Sequence, residues 1–283
     1  MTVARRRLGM SPCPNDTFMF HALLHDHVPS AGVQLEAVMD DIEGLNQRAL
    51  KPTGRLPYTK LSSCAFGHVL PAYRVLRAGA ALGRGCGPLI VVREDSAARR
   101  LADLQTGSIA IPGFMTTAWL LTRMYGPSSL RPVECRYDQI MEQVAVGSVD
   151  AGLIIHESRF TYAAQGLRAL SDLGTCWEED AGLPLPLGLI AARRDLEEAE
   201  VCAMEDAIAA SVRYGWEHPE RGEAWVRQHA QEMQPEVCSA HIRLYVNQYS
   251  EDLGEDGRRA VEYLLRRGHE VGALPRSGAS PWG

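Results

Sequence analysis

Residues 108–126 read SIAIPGFMTTAWLLTRMYG. The stretch divides into an apolar run, a turn holding Pro112 and Gly113, and a segment opened by Thr116 and Thr117. A short apolar run closed by Pro and Gly predicts a buried strand. Paired threonines ahead of Ala-Trp-Leu-Leu predict a helix start. Strand, turn and helix together form the repeating unit of an α/β fold. A related unit stands at 150–162, DAGLIIHESRFTY, where an apolar strand runs into a polar cluster. Strands this apolar favour a mainly parallel sheet covered on both faces.

Outward from this unit, the pattern predicts strands at 7–11, 33–39 and 73–77, and helices at 17–25, 41–50 and 61–70. Glycines at 79, 83, 85 and 87 then precede an apolar strand at 88–92, read as a crossing into a second lobe. They do not fit G-x-G-x-x-G between strand and helix, so a dinucleotide fingerprint is weak. A helix is expected at 137–146 and a turn at 147–150. The Pro-rich apolar run 184–195, PLPLGLIAARRD, reads as the return crossing. Helices are expected at 196–218, 220–231, 235–249 and 255–267, ahead of a loop-like tail. The expectation is therefore a two-lobed clamp with a central cleft. Residues 1–87 and 193–283 make lobe I, and 88–192 make lobe II.

Composition bounds the function. The 283 residues are 46% apolar, enough for a sizeable core, and carry a formal net charge of -6. Basic runs are short and scattered, as at Arg5–Arg7 and Arg266–Arg267, so no basic stripe for nucleic acid is evident. No apolar run approaches the roughly 20 residues of a membrane span, and no export signal is visible. The 7 cysteines form no C-x-x-C pair and no Cys/His cluster of metal-ligand spacing, which speaks against structural zinc and for a reducing compartment. The expected location is cytoplasmic.

Ligands of open α/β sheets bind beyond the carboxyl ends of the strands. His156 stands at such an end, between Ile154-Ile155 and the polar Glu157-Ser158-Arg159. A histidine there can serve as a general base, or be a hydrogen-bonded structural residue. Thr116 and Thr117 can seat a carboxylate at a helix N-terminus, or simply cap the helix. Ser62 and Ser63, after Lys60, carry the same alternatives. In SPCPNDTF (11–18), Cys13 lies between two prolines. It can be a nucleophile, but a small buried filler is the preferred reading. Asn15, Asp16 and Thr17 are expected to face the cleft opposite His156.

Together, SPCPNDTF, LPYTKLS, GRGCGPL, the PG…TTA turn-helix, GLIIHESRFTY and GLPLPLG resemble the 1,4-dihydroxy-6-naphthoate synthase family of the futalosine pathway to menaquinone. The resemblance runs from about residue 7 to about 265. It implies a type 2 periplasmic-binding-protein-like fold with a helical C-terminal region. The implied lyase activity converts cyclic de-hypoxanthine futalosine to 1,4-dihydroxy-6-naphthoate and dihydroxyacetone, with His156 as base. Substrate contacts implied by matching motifs are Lys60, Leu61 and Ser62, and the pair Thr116–Thr117. Asn15, Asp16, Asn46 and Arg159 complete the expected substrate-binding set. No metal or organic cofactor is implied, and a homodimer is compatible with the chain. Two other readings share the fold: chorismate dehydratase of the same pathway, and a solute-binding protein without chemistry.

Overall fold

The structure is a computed structural model and describes residues 4–30, 32–230 and 234–283. The end of the helix expected at 220–231 lies outside the described residues. So do the parts of lobe I at 1–3, 31 and 231–233. The chain begins with β1 (Ala4–Met10), α1 (Pro14–Leu24), β2 (Val33–Met39), α2 (Ile42–Leu50), β3 (Tyr58–Ser62), α3 (Ser63–Val69), β4 (Tyr73–Val75) and β5 (Ala81–Gly83). Next come β6 (Leu89–Arg93), β7 (Ser108–Ile111), α4 (Thr117–Tyr125), β8 (Arg131–Glu134), α5 (Ile140–Ala145) and β9 (Ala151–Ile154). The short α6 (Ser158–Thr161), β10 (Leu167–Asp172) and α7 (Leu173–Ala181) complete the second lobe. Strand β11 (Leu185–Arg193) leads back to α8 (Glu198–Glu217), α9 (Pro219–His229), α10 (Pro235–Tyr245), α11 (Gln248–Glu251) and α12 (Gly254–Glu270).

One sheet has the order β2-β1-β3-β11-β4, with β5 also on β11; the other has the order β10-β6-β9-β7-β8. Both are mixed, which corrects the expectation of mainly parallel sheets. In the first sheet β1 runs parallel to β2 and β3, while β11 is antiparallel to β3, β4 and β5. In the second, β7 is parallel to β8 and β9, while β6 is antiparallel to β9 and β10. Parallel neighbours need a helical crossover between them. Strands β6 and β11 arrive from the opposite lobe, and each inserts antiparallel to its neighbours. Strand β11 pairs in the first sheet, so its residues lie on the lobe I side of the boundary expected at 192/193.

The helix expected at 61–70 begins later. Residues 58–62 form β3, fully buried at the centre of the first sheet, and the helix covers only Ser63–Val69. Strands β8 and β10 and helix α7 add to the predicted elements. The helix expected at 235–249 stops at Tyr245, and Asn247 opens α11 by accepting the Tyr249 N–H at 2.9 Å. Apolar residues of β1, α1 and α8 form one core: Leu8, Met10, Met19, Phe20, Met204 and Ile208 are all fully buried. Helix α1 packs against α8, α9 and α10, so the C-terminal helices brace the turn that enters the cleft. Among the described residues no helix is long and apolar enough to cross a membrane.

Candidate active site

The turn between β1 and α1 is tied by one carboxylate. Asp16 Oδ2 accepts the Ser11 backbone N–H at 3.0 Å and the Ser11 hydroxyl at 2.7 Å. Its Oδ1 accepts the Asn15 amide at 2.8 Å and pairs with the Lys60 ammonium. Asp16 is fully buried, so it anchors the turn instead of facing the cleft as expected. Thr17 also turns away, its hydroxyl donating to the Cys13 carbonyl at 3.1 Å. Asn15 is the member of this trio that lines the cleft cavity.

Strand alternation sorts the next segment. Lys60 and Ser62 face the cavity, while the Leu61 side chain is buried in the core on the other side. Asn46 is fully buried and brackets Ser62. Its Oδ1 accepts the Ser62 N–H at 3.0 Å, and its Nδ2 donates to Ser62 Oγ at 3.1 Å and to the Met115 carbonyl at 3.3 Å. It therefore orients a cavity residue and links the two lobes.

Thr116 caps α4, accepting the Trp119 N–H at 3.2 Å and donating to the Gly113 carbonyl at 2.8 Å. The Thr117 hydroxyl donates to the Leu187 carbonyl at 2.7 Å. Capping and cavity lining coincide, because Thr116, Thr117 and Ala118 all border the cleft. Helix geometry leaves first-turn N–H groups outside the ladder, and the helix dipole favours an anion there.

His156 follows β9 and has φ 56°, a left-handed conformation that is costly for a residue with a Cβ. That backbone turns the ring from the strand into the cleft. Its Nδ1 lies 3.5 Å from Cys13 Sγ, across the two lobes. The Tyr137 ring stands edge-on at 5.1 Å. The imidazole keeps some accessible surface, but lies deep between the lobes where protein penalises charge. Burial, then the Lys60 ammonium, lowers its pKa from 6.5 to about 4. It is a neutral base at ordinary pH. Burial pushes the Cys13 thiol far up, so the pair is thiol and imidazole, not thiolate and imidazolium. Cys13 is buried as expected, but it is a partner of His156 and not mere filler.

Arg159 borders the cavity while its guanidinium is engaged elsewhere. It donates to the Gly87 carbonyl and, at 2.9 Å, to Asp172 Oδ2. It pins the first lobe crossing. Gly87 itself lies against Gly174, where an added Cβ would come within 2.2 Å of the backbone nitrogen.

Cys13, His156 and Glu157 offer thiol, imidazole and carboxylate donors that all lie within 4.8 Å of one another. They are the group of this kind among the described residues, and that donor set could hold an ion such as Zn²⁺. His241, on α10, borders the same cavity, although nothing in its helical sequence context marks it as a site residue.

Two α/β lobes joined by paired crossings around a central cleft define the periplasmic-binding-protein-like class. The periplasmic aliphatic sulphonate binding protein SsuA of Escherichia coli matches this fold with TM-score 0.69 at 13% identity, over 97% of this chain and 90% of that one. A crystal structure of an Archaeoglobus fulgidus protein matches with TM-score 0.88 at 32% identity, over 95% of this chain and 98% of that one. A menaquinone-biosynthesis family profile matches residues 6–270. A Thermus thermophilus protein named 1,4-dihydroxy-6-naphthoate synthase is 52% identical over 259 residues, 92% of each chain. A Streptomyces coelicolor protein of the same name is 43% identical over 98% of each. The chain belongs to the 1,4-dihydroxy-6-naphthoate synthase family, enzymes of menaquinone biosynthesis.

Proposed function

We propose that the protein is a cytoplasmic lyase that converts cyclic de-hypoxanthine futalosine to 1,4-dihydroxy-6-naphthoate and dihydroxyacetone, with His156 as general base. The observation that carries this reading is a neutral imidazole, at about 4 in pKa, projected into the cavity bordered by the α4 N-terminus. A base must be unprotonated to act, and His156 meets that condition across the neutral range. The first-turn N–H groups of α4, which Thr116 and Thr117 position, would hold the substrate carboxylate, with Ser62 and Lys60 beside them. His156 would remove an activating proton; the ring carrying the three-carbon fragment then breaks, and aromatisation of the naphthalene system drives the cleavage. Held geometry supplies much of the rate in such a step, and the two lobes exclude water from the intermediate.

The test is a His156→Asn variant. It is expected to bind the substrate and to lose at least about a hundredfold in turnover, the lower range of general-base contributions. Wild-type turnover would remove His156 from the role. Binding without turnover by the wild-type protein would favour a solute-binding role, and turnover of chorismate the dehydratase reading.

A further inference from the structure

The cleft holds a second imidazole that the reaction as proposed does not use. His241 is 1% exposed, and its ring lies 6.3 Å from that of His156 with 23° between the planes. Its hydrogen positions follow from its neighbours. Asp16 Oδ1 can only accept, so the Asn15 amide turns its NH₂ toward it. The Asn15 Oδ1 is thereby left facing His241 Nε2, at 3.0 Å. An acceptor there requires the hydrogen of His241 to sit on Nε2.

Burial holds this imidazole neutral, and the nearby Lys60 ammonium adds to the effect. A neutral ring with hydrogen on Nε2 carries a lone pair on Nδ1. That Nδ1 is buried and receives no hydrogen bond among the described residues. Glu157 Oε2 faces it at 3.9 Å, beyond hydrogen-bond reach. A buried acceptor left without a donor is costly, and native structures seldom keep one without a use. The pairing of lone pair and carboxylate oxygen would repel an anion and welcome an O–H donor.

We infer that His241 Nδ1 accepts a hydrogen bond from a hydroxyl on the carbohydrate portion of the substrate. The inference rests on the futalosine reading above. It assigns His241 to binding, beside the base and apart from the carboxylate seat on α4. The two histidines then divide the reacting end of the ligand, one taking a proton and the other fixing a hydroxyl.

The experiment uses His156→Asn protein, in which turnover does not obscure binding. Calorimetry measures cyclic de-hypoxanthine futalosine and the product 1,4-dihydroxy-6-naphthoate, which lacks the carbohydrate hydroxyls. Each is tested with His241 intact, with His241→Gln and with His241→Asn. The Gln amide retains a donor toward Asn15 but removes the Nδ1 acceptor; the Asn amide lies near the Nδ1 position. His241→Gln is expected to weaken the futalosine by about tenfold, the worth of one well-placed hydrogen bond. The naphthoate should be unaffected, and His241→Asn should cost less than His241→Gln. Unchanged futalosine affinity, or equal losses for both ligands, would overturn the assignment. Turnover by His156→Asn protein would instead sink the base reading. The His241 variants are then read as KM changes in protein with His156 intact, by the same criteria.

Discussion

Cys13 Sγ and His156 Nδ1 meet at 3.5 Å although they are 143 residues apart in sequence and belong to different lobes. The thiol is held protonated by burial and the imidazole neutral, so their contact is a weak hydrogen bond between uncharged groups. Its effect is to orient the ring and bias which nitrogen carries hydrogen.

Cys13→Ser replaces the thiol with a hydroxyl that can still donate or accept. It should retain turnover within about tenfold, whereas Cys13→Ala should lose more in kcat than in KM. The intact protein should also resist alkylation at Cys13 under native conditions, because a buried thiol is a poor nucleophile. Loss of kcat equal in Ser and Ala variants, with rapid native alkylation, would point to covalent chemistry instead.

Acid should reveal the buried histidine twice. The acid limb of kcat/KM is expected near pH 4, not near 6.5, since His156 stays unprotonated until then. Stability should fall over the same window. Below 6.5 the unfolded histidine takes up a proton that the folded one refuses until about 4, and the loss levels off below that. The full shift is worth about 3 kcal/mol for His156. His241 moves in the same direction. Urea unfolding at pH 7 and at pH 5 reads the change, and a midpoint that does not drop at pH 5 would contradict it.

Breaking the buried Asp16–Lys60 pair should be expensive. The Asp16 side chain is fully enclosed and that of Lys60 is 7% exposed. Asp16→Asn leaves an ammonium without its counter-charge and weakens the tie to Ser11. A loss of about 3–5 kcal/mol is expected in chemical denaturation. The double variant Asp16→Leu with Lys60→Met should be less destabilised than the two single changes summed.

Gly87→Ala tests the lobe crossing. The new methyl would fall 2.2 Å from Gly174 N and 2.3 Å from its Cα, and no flexible side chain can yield there. The backbone itself must shift, which should cost about 1–3 kcal/mol. The same shift disturbs the carbonyl that Arg159 holds, so ligand binding should weaken beyond the loss of stability. An unchanged melting temperature would show that the crossing has slack.

Much of this was legible where the signal was local. SIAIPGFMTTAWLL announced strand, turn and helix, and both the capping threonines and the cavity lining follow from those few residues. The crossing expected at 88 rests on glycines ahead of an apolar run, and that at 184 on a Pro-rich apolar run. Strand β3 was harder, because Lys60 and Ser62 interrupt an apolar pattern that the cleft itself requires them to break. Edge strand β8, Arg131–Glu134, is mostly exposed and offers no core signature. Asn46 and His241 are distant in sequence from the groups they serve. His241 sits among Ser239 and Arg243 on a helix whose sequence resembles a solvated face. Only the packing of α10 against α1 brings it to Asn15.

The left-handed backbone at residue 156 narrows what mutation can do at that position. Asn, Asp and Gly tolerate φ near 56°, whereas β-branched residues are strongly disfavoured there. Genetic drift at this codon is therefore filtered by shape before it is filtered by chemistry. A chain that had lost its activity, and with it the selection for an imidazole, would be expected to retain a small or amide residue here, and its fold along with it.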